Sequence, residues 1–154
     1  MKYLRELDQS PWFIPAASLF LYLAACVLPC LEFDTVNGDH EIWYGFSILL
    51  QGWMAVLVGQ TAWIANPLWL LAMIFFVLRR WTISITCSLA GIFLAGITFL
   101  LFRQKVATDL DGEIIPLQQP KIGVYIWLLS LLVIFAGAVF MRHRQHTAGQ
   151  NPVN

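Results

Sequence analysis

The residues best suited to chemistry form a short polar cluster between two apolar stretches. Four carboxylates and one imidazole make up this acidic cluster: Glu32, Asp34, Asp39, His40 and Glu41. Carboxylates with a histidine can bind a divalent cation or act as acid and base. The pair Asn37-Gly38 in their midst favours an ordinary turn. We therefore expect a solvated acidic loop, with cation binding as the alternative.

Two cysteines, Cys26 and Cys30, could supply redox chemistry. In an oxidising exterior they could cycle as a thiol pair. A redox pair is normally spaced Cys-x-x-Cys, however, and here one further residue separates the two thiols. The third cysteine, Cys87, is predicted near the opposite face. Small apolar side chains are the expected role, with a structural disulfide or a redox pair as alternatives.

A further group of residues could bind a ligand or line a polar path, because it brings amides and an indole into an otherwise apolar stretch. Its members are Gln51, Gln60, Trp63, Asn66 and Pro67. An indole N–H at membrane depth needs an acceptor, and these three amides are the nearest candidates.

The sequence lacks the ionisable residues and the motifs on which several other kinds of chemistry depend. No Asp, Glu, Lys, Arg or His falls in the central parts of the apolar stretches, and ion-coupled transporters need such a residue there. No phosphate loop, zinc-protease helix, nucleophile elbow or dinucleotide glycine pattern is present. We predict no catalytic residue, no metal site and no cofactor.

Composition indicates which solvent surrounds these residues. Hydrophobic residues make up 59% of the 154 residues and charged residues 12%, against about 45–50% and about 25% in soluble domains. So little charge could not cover a soluble globule. Basic and acidic residues cancel, so the chain has no net field that would attract nucleic acid. The bilayer is therefore the expected partner.

Charge-free runs define the expected helices. They cover 11–31, 42–78, 81–102 and 122–141, and a spanning helix needs roughly 20 apolar residues. We predict an all-α integral membrane protein in which a single domain, 1–141, forms a four-transmembrane-helix bundle. Its helices should cover about 11–31, 44–79, 81–102 and 122–141.

The second helix needs a separate explanation, because its run would extend about 55 Å if straight. Proline removes a backbone donor and kinks a helix, so we expect this segment to be long and kinked, or partly re-entrant, near Pro67. Asp111-Gly112 between apolar residues predicts a small external hairpin between the third and fourth helices. The polar tail, 142–154, should be disordered.

The positive-inside rule sets the orientation. With four crossings most basic residues are cytoplasmic: Lys2, Arg5, Arg79, Arg80, Arg142 and Arg144 inside, with Arg103, Lys105 and Lys121 outside. Five crossings would divide them almost evenly. We expect a multi-pass protein of a bacterial inner membrane with both termini in the cytoplasm.

Small residues on the last two predicted helices favour close helix packing, with each other or across a subunit interface. They are Ser84, Ser88, Gly91, Ala95, Gly123 and Gly137. The leading hypothesis is a non-enzymatic assembly, accessory or immunity-type protein that associates with itself or with a membrane protein. The alternatives are an oligomeric channel or transporter subunit with Gln51, Gln60 and Asn66 along its path, and a membrane enzyme using Cys26 and Cys30 or the acidic cluster.

Overall fold

The computed structural model describes residues 12–34, 40–57, 61–104, 107–108, 114–115 and 120–150. These residues are mostly helical. The helices are α1 (Phe13–Val27), α2 (Gly45–Gln51), α3 (Trp53–Leu57), a 3-10 turn (Thr61–Ile64), α4 (Ala65–Val77), α5 (Trp81–Gln104) and α6 (Ile122–Gln150). The strands are β1 (Pro29–Asp34), β2 (His40–Tyr44), β3 (Ala107–Thr108) and β4 (Ile114–Ile115).

Helix α1 ends earlier than the expected residue 31, because Pro29 stops it. Leu28 precedes the proline and has an extended backbone, with φ −95° and ψ 153°. A residue before proline is pushed out of the helical region by the proline ring. The apolar residues after Val27 therefore enter a strand.

An antiparallel ribbon, β1 paired with β2, occupies the position where we expected a loop. Leu31 pairs with Trp43, and an irregularity between Pro29 and Leu31 removes Cys30 from the ladder. The Cys30 carbonyl instead accepts a hydrogen bond from the backbone N–H of Lys121 (3.0 Å). The Lys121 ammonium also pairs with the Glu32 carboxylate. The ribbon is thus bound to the start of α6, and we call this side of the molecule the ribbon end.

The second apolar run is broken into short pieces instead of forming one long helix. Gly45 begins α2 where a Cβ atom would overlap the Ala25 carbonyl and the Cα of Cys26, so glycine permits this close approach. Pro67 lies in the first turn of α4, where backbone N–H groups have no partner within the helix. It therefore fits the start of a helix and does not kink one.

A tight turn, Leu78 to Arg80, joins α4 to α5. The N–H of Arg80 donates to the Phe75 carbonyl (2.9 Å) and that of Arg79 to the Phe76 carbonyl (3.0 Å), which is the Schellman pattern. Arg79 has φ 57°, the left-handed conformation that usually favours glycine. We call this side of the molecule the turn end.

Helices α5 and α6 begin where the sequence predicted, and the strands of the expected hairpin lie between them. Ala107 pairs with Ile115 and Thr108 with Ile114, while the Asp111-Gly112 turn is outside the described residues. Helix α6 continues past Met141 to Gln150, although we expected disorder from residue 142. The residues directly after Met141 contain no glycine or proline to end the helix, which explains the extension.

The four longer helices pack together, with α1 against α6, α6 against α5 and α5 against α4. Their buried core combines aromatic, aliphatic and many small residues, including Ala65, Ala72, Ala95 and Ala138. By length and composition, one helix of the described chain, Ile122–Thr147, can cross a membrane. Shorter apolar helices cover Phe13–Val27, Thr61–Val77 and Trp81–Ile97.

Candidate functional site

Buried and half-buried polar side chains between α1, α4 and α6 form one connected group, which we call the Asn66 network. Each helix contributes two members about one turn apart, so both lie on the same face. The members are Ser18 and Tyr22 on α1, Asn66 and Trp69 on α4, and Trp127 and Ser130 on α6.

Asn66 is the shared acceptor of the network. Its side-chain oxygen Oδ1 accepts a hydrogen bond from the Tyr22 hydroxyl (3.0 Å). It also accepts one from the Trp127 indole N–H (2.9 Å). A carbonyl oxygen has two lone pairs and can serve two donors at once. One amide oxygen therefore connects all three helices.

A second chain of hydrogen bonds runs alongside the first. The Trp69 indole N–H donates to the Ser18 hydroxyl (3.0 Å), which donates to the Ser130 backbone carbonyl (2.8 Å). The Ser130 hydroxyl donates to the carbonyl of Trp127 (2.6 Å). Tyr22 and Trp69 also stack, with ring centroids 3.9 Å apart and an 11° angle between planes. The stacking of Tyr22 on Trp69 thus connects the two series of hydrogen bonds.

The groups in this network favour a structural role over catalysis. Its serine hydroxyls donate to backbone carbonyls, and no histidine or carboxylate joins them among the described contacts. A serine nucleophile needs an adjacent base. Hydrogen bonds between buried helices, by contrast, fix which faces meet. The network can therefore set the packing of α1, α4 and α6.

The two cysteines of the proposed thiol pair differ in exposure. Cys26 is half-buried and Cys30 is buried, and neither is in a disulfide. The Cys30 thiol lies in β1, beyond the end of α1, and its sulfur is 3.6 Å from the Leu28 carbonyl. Burial raises the pKa of the Cys30 thiol to about 11. The reactive thiolate is therefore scarce at neutral pH.

The acidic cluster is only partly described, since the Asp34 and His40 side chains and all of Asp39 lie outside the described residues. The Glu32 carboxylate pairs with the Lys121 ammonium. Glu41 accepts a hydrogen bond from the Trp43 indole N–H (2.9 Å). Within the described part of the chain, no three His, Cys, Asp or Glu residues are grouped as a metal site requires.

The residues predicted to line a polar path lie in different surroundings. The Gln51 side chain is exposed at the end of α2, and Pro67 is also exposed. Trp63 packs on Gly52 and donates its indole N–H to the Leu49 carbonyl (3.1 Å). Asn66 faces Tyr22 and Trp127 instead. Gln60 lies outside the described residues.

Small residues on α5 contact other parts of the chain. Ser84, Ser88 and Ala95 are fully buried, and the Ser84 hydroxyl donates to the Ala72 carbonyl on α4 (2.8 Å). A Cβ atom at Gly91 would lie 3.0 Å from the Leu131 side chain on α6. This face of α5 is therefore occupied by α4 and α6.

Two glycines of α6 sit at similarly close contacts. A Cβ atom at Gly123 would overlap the Cys30 sulfur and lie 2.8 Å from the Pro29 carbonyl oxygen. A Cβ atom at Gly137 would overlap the Ile14 side chain. These glycines let the ribbon and α1 approach α6.

Two members of the Asn66 network, Ser18 and Tyr22, were not predicted from the sequence. Their spacing of four residues within a charge-free run is the signal that could have identified them, because it places two hydroxyls on one helix face. Asn66 was expected as an indole acceptor and does serve Trp127. The Trp69 indole N–H donates instead to the Ser18 hydroxyl, which was not predicted as an acceptor.

Comparison with known proteins adds nothing to this geometry, since no family model, curated protein or solved structure matches the chain.

Proposed function

We propose that the chain is a four-span membrane protein whose apolar helix faces contact lipid. The observation that supports this is the distribution of side chains. Large hydrophobic side chains face outward on all four longer helices, including Phe20 (72% exposed) on α1 and Phe93 (73% exposed) on α5. Among the side chains that the structure describes, the fully buried polar ones belong to serines. Helix contacts made through alanines and serines, under an apolar exterior, are typical of helices packed in a bilayer.

Helix α6 supplies further support for this proposal. Only 33% of its most apolar stretch is buried, whereas the core helix of a soluble protein is hydrophobic all round because it is buried all round. Large patches of exposed apolar surface are rare on soluble monomers. Lipid contact accounts for both features.

The shorter helices require an adjustment at the ribbon end. Helix α1 has 15 residues, or roughly 22 Å, against a hydrocarbon thickness of about 30 Å. The 3-10 turn before α4 lengthens that helical segment to Thr61–Val77. A short span can also be accommodated by thinning of the bilayer around it. Four crossings of unequal length are therefore compatible with one membrane.

The orientation is tested by labelling single cysteines with an impermeant thiol reagent, in a variant lacking Cys26, Cys30 and Cys87. With both termini in the cytoplasm of a bacterial inner membrane, Asn37→Cys and Gly112→Cys label in intact cells. Gln9→Cys and Thr147→Cys label only after lysis. Labelling of Thr147→Cys but not of Gln9→Cys in intact cells contradicts the four-span arrangement, because termini on opposite sides require an odd number of crossings.

Within that membrane arrangement, we propose a non-enzymatic role in which the protein associates with a second copy or with another membrane protein. Helices α2 and α3 carry four exposed apolar side chains on one stripe, spaced as successive helical turns. We call this the α2–α3 stripe: Phe46, Leu50, Trp53 and Leu57. The described segment Gly45–Leu57 is about 20 Å long as helix, too short to cross a bilayer alone.

The association is tested by native mass spectrometry and cross-linking after extraction in mild detergent. The double variant Phe46→Ala with Trp53→Ala should lose the oligomer or the co-purifying membrane protein. The control is Phe20→Ala with Phe93→Ala, which removes two rings that are even more exposed from α1 and α5 and should leave the association intact. A wild-type protein that is strictly monomeric and free of partners refutes the association.

A further inference from the structure

A small cavity opens at the turn end of the molecule, between the start of α1, the end of α4 and the start of α5. Its volume is about 30 Å³, enough for an oxygen atom or a water molecule but not for a whole ligand. Six residues line it: Trp12, Pro15, Phe76, Val77, Arg79 and Trp81.

Trp81 in this cavity carries an unused hydrogen-bond donor. Its side chain is only 5% exposed, and its ring packs edge-on against Phe76, with centroids 5.0 Å apart. The indole Nε1 is buried and has no hydrogen-bond partner in the described chain. An indole N–H can only donate, and a buried donor without a partner costs free energy. An acceptor bound in the cavity would therefore be stabilised by a hydrogen bond from the Trp81 indole N–H.

The charges around this donor favour an acceptor that is negative. The exposed Arg79 lines the cavity, and Arg80 follows it in the turn. Trp81 is also the first residue of α5, whose N-terminus carries a partial positive charge. The lining contains no Asp or Glu. The acidic side chains that the structure describes, Glu32 and Glu41, belong to the ribbon at the other end.

We propose that the Trp81 cavity binds a phosphate oxygen of an anionic phospholipid headgroup. The oxygen accepts a hydrogen bond from the Trp81 indole, and the Arg79 guanidinium pairs with the same phosphate. The volume admits one oxygen while the rest of the headgroup stays outside. The inference rests on the proposed membrane function, which puts the turn end at the cytoplasmic surface of the membrane. The phosphates of the lipid headgroups lie at that surface. Inorganic phosphate offers the same oxygen and is the competing source.

The first test counts the lipids that the protein retains when released from nanodiscs of mixed phosphatidylcholine and phosphatidylglycerol into a mass spectrometer. The wild type should retain phosphatidylglycerol preferentially. Trp81→Phe and Arg79→Asn should each weaken that retention about tenfold, the loss expected for one charge-assisted hydrogen bond. Asparagine tolerates the left-handed backbone at this position. Trp43→Phe, at the ribbon end, is the matched control and should bind as the wild type does.

The second test follows the indole N–H resonance of Trp81 by NMR in detergent micelles, identified by its absence from Trp81→Phe. Short-chain phosphatidylglycerol should shift this resonance downfield, and inorganic phosphate at the same concentration should not. An equal shift with inorganic phosphate overturns the lipid as the source. If neither phosphatidylglycerol nor inorganic phosphate shifts the resonance, the site is wrong. It is also wrong if the wild type and Arg79→Asn retain phosphatidylglycerol equally.

These outcomes are distinct from failure of the proposed function. A chain that remains soluble without detergent contradicts the membrane proposal itself. A chain that enters nanodiscs but shows no preference for phosphatidylglycerol contradicts the Trp81 site alone. Trp81→Phe removes part of a buried ring, so Arg79→Asn decides the question if the first variant does not fold.

Discussion

Two buried tryptophans, Trp69 within α4 and Trp81 at the start of α5, differ in whether the indole N–H has a hydrogen-bond acceptor. Each is 5% exposed, and each packs against an aromatic ring, Tyr22 and Phe76 respectively. The Trp69 indole donates to Ser18, whereas the Trp81 indole has no described partner. Equal burial therefore does not imply equal satisfaction of polar atoms.

The difference indicates how the two regions are stabilised. In the Asn66 network the acceptors for buried indole N–H groups come from other helices of the same chain, so these hydrogen bonds hold α1, α4 and α6 together. At the turn end the donors Trp81 and Arg79 have no carboxylate among the lining residues. The network acts within the chain, and the Trp81 cavity is suited to an acceptor from outside it.

The largest effect should follow from removing the shared acceptor of the network. Asn66→Leu keeps the approximate volume but leaves both the Tyr22 hydroxyl and the Trp127 indole without Oδ1. Each buried donor left unpaired costs about 1–3 kcal/mol, so losing the acceptor of both should lower the free energy of unfolding by about 2–6 kcal/mol. Denaturation in mixed micelles, followed by circular dichroism, measures it.

Gln51→Leu is the control for that experiment, because it makes the same kind of change at an exposed side chain. Its unfolding should stay within about 0.5 kcal/mol of the wild type. If the two variants lose the same stability, Asn66 is not the connection between the three helices.

Close backbone contact at the ribbon end should give the next largest effect. Gly123→Ala adds a Cβ atom against the Cys30 sulfur and the Pro29 carbonyl, which must move apart at a cost of about 1–3 kcal/mol. Gly96 has nothing within 4 Å of its would-be Cβ atom. Gly96→Ala should therefore stabilise α5 by about 0.5–1 kcal/mol. Thermal unfolding of both variants tests the contrast, and changes of the same sign refute it.

The sequence predicted the starts of α5 and α6 because charges mark both boundaries, at Arg80 and Lys121. It did not predict the ribbon, although Asn37-Gly38 lies between its strands and carries the same hairpin signal as Asp111-Gly112. The first residues of β1 belong to the apolar run that was predicted as a helix. An apolar run does not by itself distinguish a buried helix from a buried strand.

Pro67 and Ser18 show why the site was harder to predict than the fold. Proline was interpreted as a kink, but the pieces before it end in a 3-10 turn and place it in the first turn of a new helix. Whether a serine in an apolar run faces a partner depends on which helices meet. That information comes from tertiary packing and is absent from local periodicity.

The comparison of the two tryptophans can be tested by making the same substitution at each. Trp69→Phe and Trp81→Phe remove similar volume, but only the first breaks a described hydrogen bond. In detergent without anionic lipid, Trp69→Phe should therefore cost about 1 kcal/mol more in unfolding free energy than Trp81→Phe. Chemical denaturation of the two variants measures this difference. Equal losses of unfolding free energy would indicate that the Trp81 indole already has an acceptor in detergent.

The smallest effect concerns Arg79, whose backbone and side chain make opposing contributions. Its φ of 57° is strained for most residues with a Cβ atom, including arginine. Arg79→Gly relieves this strain while adding entropy to the unfolded chain. We expect a net gain of about 0.5–1 kcal/mol in detergent alone. Added phosphatidylglycerol should raise the melting temperature of the wild type more than that of Arg79→Gly, because glycine has no guanidinium to pair with phosphate. Arg79→Asn should share that loss of lipid response, and a full lipid response in Arg79→Gly would show that the arginine acts only through the turn.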